Sequence, residues 1–303
     1  MSKLPSPHGD KLIALLENGK LPKGDIEKLK EAIQKYKEWV ASFEQIHGNS
    51  SSKIEQCVKS LNAYKNFIEI DLIFCSKDDF LYRQKGQLKL DNTVLEEFLP
   101  LFVNCIFKDI IKEKHLLIGP TTCISGIRFD SSLINEKPGG GIELRQKDQD
   151  FAISKKLFIK ASHYENFDSS SIRETNIAYL ACECKTNLDK TMFQEASATA
   201  LDLKSTVPSA KYLLLCEWLD MTPISTSTTA IDEIIILRKA KRLGSQDRKD
   251  FSTYQDRQAK LEQYRDFIKS HPYAVDTFTR FVEHIESLII DAEEGAILSR
   301  GYF

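Results

Sequence analysis

The segment YLACECKTNLDKTMFQEA (179–196) starts as an apolar strand, turns through polar residues and continues as a helix. At the end of its strand stand an acid and a base, Glu183 and Lys185, one residue apart. Side chains on a strand alternate faces with a period of two. Tyr179, Ala181, Glu183 and Lys185 therefore share one face, and Leu180, Cys182 and Cys184 share the other. Two small, soft cysteines suit a packed interior. The acid and the base are left together on the opposite face, roughly 6.6 Å apart along the strand by its rise. An apolar strand that ends in such a pair is either an edge ion pair or the start of a chemical site.

The flanks make this an α/β core. GIELRQ and DFAISKKLFIKAS read as strands before it, and KYLLLCEW and IDEIIILRK as strands after it. Between them LDKTMFQEASATALDLKST carries Met192, Ala196, Ala200 and Leu203 at helical spacing, with Asp189 placed to cap the helix. Strand–strand–strand–helix–strand belongs to an α/β fold rather than a bundle. Upstream, IGPTTCISGIRFDSSLINEKPGGG is rich in Gly, Ser, Thr and Pro and reads as irregular. Its Pro138-Gly139-Gly140-Gly141 run reads as a flexible turn.

Both ends read as helical. Ile26, Leu29, Ile33, Tyr36, Val40 and Phe43 form one stripe behind a candidate N-cap, Asp25. Ile54, Val58, Leu61, Tyr64 and Ile68 form a second, which predicts a helical hairpin: two core helices, or a short coiled-coil-like dimer seam. Another helix is predicted over 95–117, interrupted near Pro100. In the C-terminal part YQDRQAKLEQYRDFIKSH reads as a polar, exposed helix. PYAVDTFTRFVEHIESLIIDA opens with Pro272 in a first-turn position and has an apolar face of Val275, Phe278, Val282, Ile285 and Ile289.

Composition excludes several classes. The chain has 303 residues, 42% hydrophobic and 28% charged, with a net charge of −2. It can build a sizeable core, and a polyanion would need a local basic surface. Seven cysteines without a CxxC pair argue against a disulfide framework and for a reducing compartment. The six histidines form no zinc-ligand spacing, and no phosphate-binding glycine loop of either standard pattern is present. There is no signal-like start and no apolar run near the roughly 20 residues that span a bilayer. The expectation is a soluble, cytoplasmic protein.

Phosphodiester hydrolysis needs an acid and a base placed like Glu183 and Lys185. A carboxylate holds Mg²⁺, a hard cation that prefers oxygen. A lysine beside it orients or deprotonates water, or offsets charge on the phosphate. A second acid should converge from a neighbouring strand. Asp150 heads the preceding apolar strand and is the best candidate, ahead of Asp148, Glu143 and Glu174. Two other acid-x-Lys triplets, at 202–204 and 247–249, fall in a helical pattern and a polar loop.

Asp150, Glu183 and Lys185 in this context resemble the active site of the PD-(D/E)xK nuclease superfamily. The run ACECKTNLDKTMFQEASATALDLK, with KYLLLCEWLDM behind it, resembles type II restriction endonucleases, nearest the heterodimeric BbvCI-like enzymes, over about residues 139–242. The resemblance implies a restriction-endonuclease-like mixed β-sheet core flanked by helices, with helical N- and C-terminal regions. It implies double-stranded DNA as substrate, Mg²⁺ as cofactor, and a second, related subunit or a second copy as partner. Asp150 and Glu183 would be metal ligands and Lys185 the catalytic lysine. The motif's proline is replaced by Gln149, which leaves Asp148 open beside Asp150.

The chain then divides into a helical region (1–117) for DNA contact or dimerisation, a nuclease core (118–245), and C-terminal helices packed on it (246–303). Lys190 and Gln194, one turn apart after the active-site strand, are candidate DNA contacts, with Glu195 as a nearby acid. So are Arg238, Lys241 and Arg242 in the basic run RKAKR. The polar stretch 247–258 is a candidate groove-reaching loop. The rival readings are another nuclease of this core, acting in DNA repair, or an inactive DNA-binding protein built on it.

Overall fold

The apolar alternation around Glu183 is the centre of a five-stranded mixed sheet, seen in a computed structural model that describes residues 4–84, 89–290 and 298. The strands are β1 (Leu117–Phe129), β2 (Ile142–Ala161), β3 (Ser171–Leu188), β4 (Lys211–Leu219) and β5 (Glu233–Ile236), and they lie in chain order. β1, β2 and β3 are antiparallel neighbours. β4 and β5 run parallel to β3, and the connection from β3 to β4 crosses over through helix α6 (Lys190–Thr206).

Each face of the sheet is covered. Leu180, Cys182 and Cys184 of β3 and Leu213 and Leu215 of β4 face a large core. That core also takes in α1 (Pro7–Leu16), α2 (Ile26–Ser42), α3 (Ser50–Asn66), α5 (Asn92–Glu113) and α10 (Val275–Ile290). Ala181 and Leu188 of β3 and Leu214 and Cys216 of β4 face Phe193, Ala196, Ala200 and Leu203 of α6. Helices 1–117 and the last helix therefore share one apolar core with the sheet. The remaining helices are short: α4 (Asp79–Tyr82), α7 (Ser245–Lys249), α8 (Tyr254–Ala259) and α9 (Leu261–Ser270). Residues Phe67–Phe74 continue α3 as a π-helical stretch. Among the described residues no helix is long and apolar enough to cross a membrane, and the seven cysteines are free thiols.

Several sequence expectations are corrected. The first half of the Gly- and Pro-rich stretch after residue 116 is strand β1, not loop; its ladder to β2 shifts register between Gly119 and Thr121. Gly119 takes φ +125, and a Cβ there would stand 2.7 Å from Pro5. Gly119 and Pro120 thus mark a bulge. The two strands read over 142–161 are one, and it is strongly curved. Gln146 donates to the Thr175 hydroxyl at 2.8 Å, although Thr175 pairs with Leu157. Gly139 and Gly140 are buried with positive φ against this hairpin, so the triple glycine is a packed turn rather than a flexible one. A second bulge, between Ile153 and Ser154 opposite Leu180 and Ala178, breaks the alternation at Tyr179. Tyr179 joins Ile153 and Val103 in a groove, on the face away from Glu183.

Pro100 does not end its helix: α5 runs through it, and its one non-helical residue is Phe107. Asp25 makes no side-chain cap to α2; its carboxylate accepts from the Ser76 hydroxyl at 3.3 Å. Pro272 lies three residues before α10. The polar stretch 247–258 folds as α7 and α8, and Arg257 is fully buried, donating to the carbonyls of Phe74 and Ser76.

Candidate active site

Strands β2 and β3 pair from Ala161 and Ser171 as far as Phe151 and Cys182. Beyond that rung they part: β2 continues beside β1, and β3 continues beside β4. Asp150 and Glu183 are the first residues past the fork. Parting leaves the Cys184 amide without a β2 carbonyl, and Asp150 Oδ2 accepts it at 2.9 Å. A short strand divergence thus seats the Asp150 carboxylate against the backbone of β3, one residue past Glu183.

Glu183 is held on both sides. Its Oε1 lies 2.6 Å from Lys185 Nζ, and its Oε2 accepts from the Tyr212 hydroxyl at 3.0 Å. Tyr212 is buried on β4; burial, then Glu183, push its pKa up and keep the hydroxyl a donor. Burial alone would lower the Lys185 pKa, but the Glu183 contact, Asp150 and Glu195 outweigh it and the net shift is upward. Lys185 is therefore an ammonium, suited to offset charge or orient water rather than to take a proton.

α5 adds groups that the sequence reading missed. Glu96 is 6% exposed. Burial, then the Asp150 charge, raise its pKa. Asn92, one turn earlier, donates from Nδ2 to Glu96 Oε1 at 3.1 Å and to the Cys184 carbonyl at 3.4 Å. Its buried Oδ1 has no hydrogen-bond partner. Lys89, just before α5, places Nζ 3.2 Å from Glu96 Oε1 and 3.7 Å from Asp150 Oδ1. Their only signal in the sequence is a pair of acids, Glu96 and Glu97, within a largely apolar helix.

Asp150, Glu183, Lys185, Tyr212, Asn92 and Lys89 line a cavity of about 710 Å³, which continues past Asp189, Asp220, Arg242 and Arg248 to Trp218 and Phe267. Asp148 also lines it, but is exposed and accepts from the Thr122 hydroxyl at 2.5 Å. Asp150, with its amide and its two lysine neighbours, is the better-placed acid. Asp189 caps α6 by accepting from Met192 N at 2.9 Å.

The candidate DNA contacts separate. Arg242 lines the cavity, 3.4 Å from Asp220, and Lys241 is exposed. Lys190 and Gln194 are exposed, on the side of α6 opposite the cavity-lining Met192 by helical geometry. Arg238 is a correction. Its side chain is inaccessible, 3.2 Å from Glu69 and 3.7 Å from Glu217, and lies over the Tyr273 ring. It balances buried acids and is not available to phosphate.

The donor set suits a hard cation. Two carboxylates line the cleft, and the buried amide oxygen of Asn92, a residue of the same wall, has no hydrogen-bond partner; all are oxygen ligands of the kind Mg²⁺ takes. Among the described residues no group of three or more His, Cys, Asp or Glu side chains is arranged to hold a metal. A cation at Asp150 and Glu183 would complete its shell with water and substrate oxygens, as Mg²⁺ commonly does.

A model of the Bpu10I restriction endonuclease family matches residues 87–303. Among solved structures, a chain of the native BbvCI A2B2 tetramer aligns with a TM-score of 0.57 and 21% sequence identity, over 87% of this chain and 97% of that one. At that identity the likeness bears on the fold. No curated protein matches the chain.

Proposed function

The chain belongs to the Bpu10I restriction endonuclease family, and from that premise we propose that it is one subunit of a type II enzyme that cuts duplex DNA at a short specific site with Mg²⁺. The observation that carries this reading is the fork between β2 and β3, which brings Asp150 within reach of the Glu183–Lys185 pair at a cleft. Asp150 and Glu183 would hold the Mg²⁺. When bound, the ion would supply positive charge to the phosphate and lower the pKa of a water. Lys185, held protonated, offers a hydrogen bond and charge to a phosphate oxygen or to the attacking water. Tyr212 and the Cys184 amide keep the two carboxylates in place. This intact set favours an active subunit over a binding protein built on the same core.

A cleft with lysines and arginines on its wall suits a polyanion without a basic chain overall. Lys241 and Arg242 are the backbone contacts of choice, and Lys190 and Gln194 would serve only if DNA wraps past α6. The structural neighbour is a tetramer of two chain types, which supports a partner subunit here. So does an apolar surface at the far end of the hairpin, where Phe129, Leu133, Ile134, Phe158 and Ile172 are exposed. The helical N-terminal third would then serve DNA contact or assembly as well as the core, in a cytoplasmic enzyme. The test is to incubate the purified chain with phage-sized duplex DNA, with and without Mg²⁺. Discrete Mg²⁺-dependent fragments mark a self-sufficient dimer. Site-specific nicks mark a subunit that cuts one strand beside a partner. Absence of duplex binding overturns the reading.

A further inference from the structure

We propose that Lys89, held between Glu96 and Asp150, is a built-in counter-cation that competes with the divalent metal for Asp150, and that it yields the site when a DNA phosphate draws it away. The proposal rests on the endonuclease reading above. Its basis is geometric. The Lys89 ammonium lies between two carboxylates from different elements, 3.2 Å from Glu96 and 3.7 Å from Asp150. Glu96 is nearly buried and cannot be left uncompensated beside the Asp150 charge. The Oδ1 of Asn92, one turn before Glu96, is buried and has no partner. The Lys89 ammonium, placed on the two acids, does not satisfy it. A cation with several open coordination positions would use that amide oxygen together with the acids.

Lys89 is also built to leave. Its side chain is 53% exposed while that of Glu96 is 8% exposed, so the ammonium reaches in from the rim. Its backbone has φ +63, a left-handed conformation that costs a non-glycine residue energy and concentrates at functional sites. The strain is held by its flanks. Leu90 is fully buried, its amide donates to Gln84, and the Lys89 carbonyl accepts the Thr93 amide. Lys89 lines the same cleft as Lys185 and Arg242, so a backbone entering there offers it phosphate oxygens. Metal loading and DNA binding would thereby be coupled, and an enzyme without DNA would hold its carboxylates neutralised by a lysine.

The test is a titration of the full chain with Mn²⁺ alone, with and without a duplex carrying its site, read by calorimetry. The variants are Lys89→Met and Lys89→Arg, with folding checked by thermal melting. Without DNA, Lys89→Met is expected to bind Mn²⁺ roughly tenfold more tightly than wild type, since a positive charge close to the ion is removed. Lys89→Arg, which keeps the charge, should match wild type. With duplex present the gap between Lys89→Met and wild type should narrow. Equal Mn²⁺ affinity of wild type and Lys89→Met without DNA overturns the proposal, as does a gap that DNA leaves unchanged. The endonuclease reading fails separately, if neither protein binds Mn²⁺ or cuts DNA in any combination.

Discussion

Glu183 is fixed by more than its neighbour in sequence. Lys185 was visible as its partner from spacing alone; Tyr212, which holds the other carboxylate oxygen, was not, because it arrives from a parallel strand after a crossover helix. Tyr212→Phe removes only the hydroxyl. A hydrogen bond to a charged acceptor is worth about 1.5–3 kcal/mol, so cleavage should slow by about ten- to a hundredfold with duplex binding kept. Single-turnover kinetics at saturating enzyme measures this, and an unchanged rate would show that Glu183 needs no second anchor. The choice between Asp148 and Asp150 was also open in the sequence. It depends on where β2 leaves β3, which no local pattern encodes.

At the scale of elements, the position of α5 decides whether Glu96 and Asn92 meet the strands. That position is set by a clamp to α1. Glu97 accepts the amides of His8 and Gly9 at 2.9 and 3.0 Å, and the His8 ring bonds Thr93 and Tyr64 at 3.0 and 2.8 Å. Burial, with help from Lys65, lowers the His8 pKa to about 3. Between the ordinary histidine pKa of about 6.5 and 3, the unfolded chain takes a proton that the native chain refuses. His8 thus contributes stability that is complete above pH 6.5 and is lost as pH falls towards 3, by about 1.4 kcal/mol per pH unit. His8→Gln keeps hydrogen bonds but does not titrate, so its urea midpoint should fall less than wild type between pH 6.5 and 4. Parallel curves would contradict this. The long helices α2, α3, α5, α6 and α10 and the strands β2–β5 were legible because their apolar periods are clean, whereas α1, α4 and α7 are too short or too polar to show one. β1 was not, because Gly119 and Pro120 read as loop residues although they serve a bulge, and the merger of two strands into β2 hides behind polar residues at its curve.

At the scale of the whole molecule, charge is sorted by depth. Arg238 and Lys241 look alike in a basic run, yet Arg238 joins a buried set with Lys65, Glu69 and Glu217, and Lys241 is exposed. Breaking a buried pair costs about 3–5 kcal/mol, so Arg238→Ala should lower the denaturant midpoint sharply. Lys241→Ala should leave the midpoint nearly unchanged and reduce the salt slope of duplex binding by about one. The reverse pattern would overturn the assignment of these two residues. Sequence could not sort them, since burial here is decided by the π-helical stretch after α3 and by residues 271–273 between α9 and α10 closing over Arg238. The central claim is that this chain cuts DNA with Asp150, Glu183 and Lys185, and nicking of supercoiled plasmid tests it most directly. Wild type and Glu183→Ala are compared at equal concentration with Mg²⁺ present. Wild type should convert the supercoiled plasmid at a fixed position, and Glu183→Ala, which removes a ligand of the ion, should lose most of that cleavage at equal DNA affinity. Equal nicking by the two proteins would contradict the account.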